Sequence, residues 1–111
     1  MTIVDEANRV YRVDNFSVPG QARSAFLDKV QKTHEALREV EGFVQDFILE
    51  QTAGPSEFNV VTIVVWESAK AVERARDAVA ARHREMNFDP REMYAKLEIK
   101  ANVGTYTKNK R

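Results

Sequence analysis

The clearest pattern in the chain lies at residues 58–68, FNVVTIVVWES. Val60, Thr62, Val64 and Trp66 fall on one side of a strand, and Val61, Ile63 and Val65 on the other. Both sides are rich in apolar residues, so both faces of this strand are expected to be covered. Three further segments read as strands. Residues 9–16, RVYRVDNF, place Tyr11 and Val13 on one face, with Val10 and Phe16 in polar company on the other. Residues 42–51, GFVQDFILEQ, place Phe43, Phe47 and Leu49 together, opposite Val44 and Ile48. Residues 97–106 place Leu97, Ile99, Ala101 and Val103 on one face. The Gly54-Pro55 turn makes residues 42–51 and 58–68 a hairpin.

Between the strands the apolar period lengthens to that of a helix. Phe26, Leu27, Val30, His34 and Leu37 recur at helical spacing over residues 19–40, with Pro19 at the start and Gly42 just past the end. Val72, Ala75, Val79, His83 and Met86 make the stripe of a second long helix, capped by Ser68. Asp89, Pro90 and Glu92 resemble a capping box for a short third helix over about residues 90–97, with Phe88 and Met93 placed for a hydrophobic staple. The order is strand, helix, strand, strand, helix, short helix, strand. That is an α+β, ferredoxin-like split βαβ arrangement, with both long helices on one face of a four-stranded sheet. The other face carries Val61, Ile63 and Val65. A bare apolar face is an association site, and a second copy packed sheet to sheet is the economical cover. A homodimer is expected.

Composition narrows the function classes. The 111 residues suit one domain, with a core over about 9–107. Basic and acidic side chains balance at 17 each, which argues against nucleic acid or an anionic membrane as partner. The basic tail Lys108, Lys110 and Arg111 reads as a solvated terminus. There is no cysteine, hence no disulfide and no thiolate chemistry. No secretory signal and no membrane-length apolar run is visible, so a cytoplasmic location is expected. Phosphate-binding loops, dinucleotide fingerprints and Cys/His metal clusters are missing, so no metal, flavin or nicotinamide is implied.

REVEGFVQDFILEQ, followed by FNVVTIVVWES and a helix, resembles the antibiotic biosynthesis monooxygenase superfamily of dimeric α+β barrels. The carriers are the turn Glu41-Gly42-Phe43 and the strand end Trp66-Glu67-Ser68. The resemblance implies a site between the helices and the inner sheet face. It also implies one of several activities: cofactor-independent oxidation of polycyclic phenols or anthrones to quinones, haem degradation, or no assigned activity. The quinone-forming type has an asparagine four residues before the strand-end tryptophan, and Thr62 stands there in this chain. The haem-degrading type has a strand-one asparagine, a tryptophan in the second helix and a histidine near that helix's end. His83 matches the last, Ala75 or Arg76 stands near the second, and Val13 lies nearest the first.

The residues able to carry chemistry are few. His83 and His34 are the only histidines and sit in the apolar stripes of different helices. Each is a candidate general base or haem ligand, or else a hydrogen-bonded core histidine. Trp66 can wall a site or pin the second helix, and Thr62 can donate to a substrate oxygen or serve only its strand. Phe26, Phe47, Met86, Phe88 and Tyr94 can line an apolar pocket or plain core. Asn15, Gln45, Asn59 and Asn102 read as edge or solvent positions. The reading is a small cofactor-independent monooxygenase with an aromatic, polyketide-like or quinol substrate. The alternatives are a haem-binding or haem-degrading enzyme and a dimeric ligand-binding barrel without chemistry.

Overall fold

In a computed structural model, residues 6–109 are described; the tail residues Lys110 and Arg111 lie outside them. Strands β1 (Val10–Ser17), β2 (Phe43–Glu50), β3 (Val60–Trp66) and β4 (Lys100–Tyr106) form one antiparallel sheet in the order β2-β3-β1-β4. Helix α1 (Arg23–Leu37) joins β1 to β2. Helices α2 (Ala69–Glu85) and α3 (Pro90–Lys96) join β3 to β4. Each crossover skips one strand, which is the split βαβ order expected.

The helix starts follow the capping chemistry. Ser68 is extended, and its hydroxyl accepts the Ala71 N–H at 3.3 Å. Asp89 Oδ1 accepts the Arg91 N–H at 2.9 Å, with Pro90 beginning α3. The first helix is shorter than the span of residues 19–40 expected for it, although the whole apolar stripe from Phe26 to Leu37 lies within it. Pro19 leads into a 3₁₀ turn at Gly20–Ala22, and beyond Leu37 the chain continues as tight turns in which Val40 N–H reaches the Leu37 carbonyl.

Two clusters fill the space under the helices. Val10, Val64, Trp66, Ala71, Val72 and Ala75 make one; Phe16, Val18, Ala22, Phe26, Val60 and Ile99 make the other. Asn59 fastens the second. Its side-chain oxygen accepts the Val18 N–H and its amide donates to the Val18 carbonyl, both at 2.8 Å.

Two strand faces differ from simple alternation. Phe43 pairs with Trp66 and Gln45 with Val65, so a bulge holds an extra residue between them. Phe43 therefore packs inward on Trp66, with ring centroids 5.8 Å apart, and Phe47 faces outward beside Ile63. Leu97 is not part of the last strand. It caps α3, and Glu98 at φ 57° turns the chain before Ile99 enters the core.

Gly42 sits at φ 95°, where a Cβ would collide with Ala71 and press on Glu67. Its carbonyl accepts the Glu67 N–H at 2.9 Å, joining the start of β2 to the end of β3. Gly42→Ala is expected to lower unfolding stability by about 2 kcal/mol or more, from left-handed strain plus the collision. Urea titration reads this; a change under ~0.5 kcal/mol would mean the turn adapts freely.

Among the described residues, neither long helix covers the outer sheet face. Phe47, Ile63 and Val13 form one row across it, and Leu49, Val61 and Asn15 the next. Phe47 and Leu49 are 40% and 48% exposed. Val65, flanked in register by Gln45 and Tyr11, is already buried within the single chain.

Candidate active site

The helix-covered face of the sheet encloses a cleft with two lobes. The larger is about 400 Å³ and is walled by Trp66, Leu37, Val64 and Val72. The smaller is about 210 Å³ and is walled by Phe16, Phe26, Phe88, Met93 and Tyr94. Asp14, Thr33, His34, Thr62, Val79 and His83 line both, so they form the waist between the lobes. The walls are apolar and the waist is polar, a common design for a site that binds an apolar molecule and acts on one point of it.

β2 and α1 build the waist's most ordered group. Asp46 stands opposite Val64 in register, on the helix-covered face. His34 Nδ1 lies 2.9 Å from Asp46 Oδ2. Arg38, one turn on from His34, gives Asp46 two further hydrogen bonds, Nε to Oδ1 at 3.2 Å and Nη2 to Oδ2 at 2.9 Å. Burial alone would push the Asp46 carboxyl up. The hydrogen bonds from Arg38 and His34, with their charge, outweigh burial and hold it below the usual carboxylate range. An ionised carboxylate only accepts hydrogen bonds, so His34 Nδ1 carries the proton. In the neutral ring the lone pair is then on Nε2, and the ring is buried and lines both lobes.

His83 occupies a different setting on α2. Its ring meets Phe88 edge-on at 5.2 Å. Burial lowers its pKa, against the opposing charge of Asp89, so the imidazole is neutral near pH 7.

On the floor, β1 places Arg12 and Asp14 side by side on the inner face. Arg12 Nε and Asp14 Oδ1 are both buried, and neither has a hydrogen-bond partner. Burial pushes the Asp14 carboxyl above its ordinary value, despite the lowering pull of Arg12 and His34. Burial, then the Asp14 charge, likewise raises the Tyr94 hydroxyl. An acid whose folded pKa is raised keeps its proton longer folded than unfolded. Stability then falls as pH rises from the ordinary 3.8 to the folded value, and the penalty is complete above it. Asp14→Asn removes the buried charge and is expected to raise Tm at pH 7 by about 4 °C, on a scale of ~1 kcal/mol. At pH 3 the same melts should show little change. A lower Tm at pH 7 would mean that the carboxylate is stabilising.

The model of the antibiotic biosynthesis monooxygenase family matches residues 9–84. The chain belongs to that family. Solved structures share the fold along nearly the whole chain. SnoaB, a cofactor-independent oxygenase from Streptomyces nogalater, is 22% identical with a TM-score of 0.64, covering 95% of this chain and 97% of its own. A variant of MhuD with two manganese protoporphyrin IX molecules bound per active site is 17% identical at TM-score 0.68, covering 92% and 96%. A conserved protein from Methanosarcina mazei Go1 is 14% identical at TM-score 0.66, covering 94% and 96%. No curated protein matches in sequence.

On this monooxygenase-family frame, His34, His83 and Thr62 meet at the waist, and Trp66 walls the larger lobe. Phe26, Phe88 and Tyr94 line the smaller lobe. Phe47 is not with them, because the bulge in β2 turns it to the outer face. Met86 is 45% exposed, lines neither lobe, and borders a space of about 40 Å³ just past the end of α2 at Glu85. Gln45, Asn15 and Asn102 lie in outer-face rows. Arg12, Asp14, Arg38 and Asp46 were not singled out by sequence. A signal for the first two existed: Val10 and Phe16 bracket two charges on one strand face. Among the described residues, no group of three or more His, Cys, Asp or Glu side chains is placed to hold a metal ion. No helix among them is long and apolar enough to cross a membrane.

Proposed function

We propose that this family member is a cofactor-independent monooxygenase acting on an aromatic, polyketide-like or quinol substrate, with His34 as the base. The observation that carries the reading is the Asp46-held imidazole at the polar waist of an otherwise apolar cleft. His34 Nε2 takes a proton from an activated ring carbon or phenol. The carbanion gives an electron to dioxygen, the radical pair closes to a peroxide, and loss of water leaves a carbonyl. A ring CH₂ and O₂ thus become C=O and H₂O, with dioxygen as the only oxidant. Trp66, backed by Phe43, walls the aromatic body, and Thr62 and His83 offer hydrogen bonds to the substrate oxygen or to the reduced dioxygen. SnoaB, similar in fold, is a cofactor-independent oxygenase, which supports the class.

The residues do not fit haem well. A porphyrin face laid on this floor would keep Asp14 Oδ1 buried and unpartnered, at the cost such groups carry. Adding hemin is expected to give no Soret shift, and a saturable shift would favour the haem reading. The deciding experiment is oxygen uptake by metal-stripped protein with a panel of anthrones and hydroquinones. Uptake lost on substituting His34 supports the reading. Ligand-induced stabilisation without uptake from any panel member replaces it with a binding barrel. We propose further that a second copy covers the outer sheet face, giving a homodimer.

A further inference from the structure

We propose that the larger lobe is an oxyanion subsite, in which Arg12 and Arg76 hold a carboxylate at one end of the aromatic ligand. The proposal rests on the cleft being the ligand site, as the preceding reading has it, and adds the class of molecule it selects. Arg12 Nε is buried, with no hydrogen-bond partner, in the floor of that lobe. The residues paired with Arg12 across the sheet are Val64 and Thr105, neither of them an acid. Asp14, two residues along the strand, is the one carboxylate in the lining, and it does not bond Arg12 Nε. Arg76 enters the same lobe from α2, so two guanidiniums face one acid there. The smaller lobe contrasts with this: aromatic rings dominate its wall, and Lys29 in its lining lies over the Phe88 ring at 5.0 Å.

A guanidinium with an unused donor in an apolar enclosure is a strong receptor for a planar carboxylate. Anchoring the acid there directs the rings past the waist and into the aromatic lobe. The ring position presented to His34 is then internal to the molecule, between the acid end and the far end. Asp14 Oδ1, an unused acceptor at the waist, suits a ring hydroxyl on the same ligand.

The test compares anthraquinone-2-carboxylate with its neutral carboxamide, read by quenching of the single tryptophan, Trp66, which walls the lobe. Wild-type protein is expected to bind the carboxylate ten-fold or more tighter than the amide. Arg12→Gln should remove that preference and leave amide affinity within about three-fold. Arg76→Gln, at an exposed helix position, should weaken carboxylate binding about three-fold with the fold intact, and keeps the test open if Arg12→Gln does not fold. Equal affinity for acid and amide in wild-type protein overturns the subsite, as does an unchanged preference in Arg12→Gln. The two readings fail separately. Acid preference without oxygen uptake leaves the subsite standing and removes the oxygenase; oxygen uptake without acid preference does the reverse.

Discussion

His34→Ala is expected to lower kcat/KM for oxygen-dependent oxidation about a thousand-fold, within the range that loss of a positioned general base produces. The size follows from how His34 is held. Its Nδ1 is tied to Asp46 at 2.9 Å, and two hydrogen bonds from Arg38 hold that carboxylate in turn. The imidazole can neither rotate freely nor exchange tautomers without breaking a charge-assisted bond. Asp46→Asn tests the arrangement without removing the ring. An amide can present its NH₂ to Nδ1, which moves the ring proton to Nε2 and removes the acceptor. A loss on the order of a hundred-fold in kcat, with KM little changed, is expected. The same variant should lose an acid-sensitive part of stability. A depressed carboxyl pKa stabilises the fold above the ordinary 3.8 and ceases to do so as pH falls through the folded value. His83→Ala is the control. With no carboxylate on its ring, its loss should stay within about ten-fold. A larger loss from His83→Ala than from His34→Ala would move the base to His83.

How much of this was legible depended on the range of the interaction. Alternation in FNVVTIVVWES assigned both faces of β3 correctly, because a strand's side-chain period is local geometry. Ser68 and Asp89 marked helix starts for the same reason. The bulge in β2 left no mark in FVQ, since a bulge depends on how two strands pair and on the Gly42 turn that launches one of them. That one extra residue sent Phe47 outward and Phe43 inward. The His34–Asp46 pair is harder still. Eleven residues of helix end, turn and bulge lie between the two, and only the crossing of α1 over β2 brings them together. Arg12 and Asp14 were visible as charges opposite Tyr11 and Val13. Which face of β1 the helices cover was needed to make them the floor of a site.

Ile63→Lys is expected to convert a dimer into a monomer at micromolar concentration, raising the dissociation constant about a thousand-fold. Ile63 lies between Phe47 and Val13 in the central row of the bare sheet face. Around it Phe47 and Leu49 leave two-fifths or more of their surface open, more than a single chain gains by exposing. An ammonium at the middle of that row would be buried without a partner in a sheet-to-sheet dimer, a cost of about 3–5 kcal/mol. In the separated chain it stands in water and costs little. Light scattering over a concentration series distinguishes the outcomes. A wild-type monomer removes the dimer, and a variant that stays dimeric moves the contact to another face. Oxygen uptake per chain gives the second reading. His34, Asp46, Arg38, Asp14 and Thr62 all come from one chain and meet on the opposite side of the sheet. A monomeric variant should therefore retain turnover to the extent that the sheet keeps its shape. Loss of turnover with the fold intact would mean that the partner copy stiffens the floor on which Arg12 and Asp14 stand.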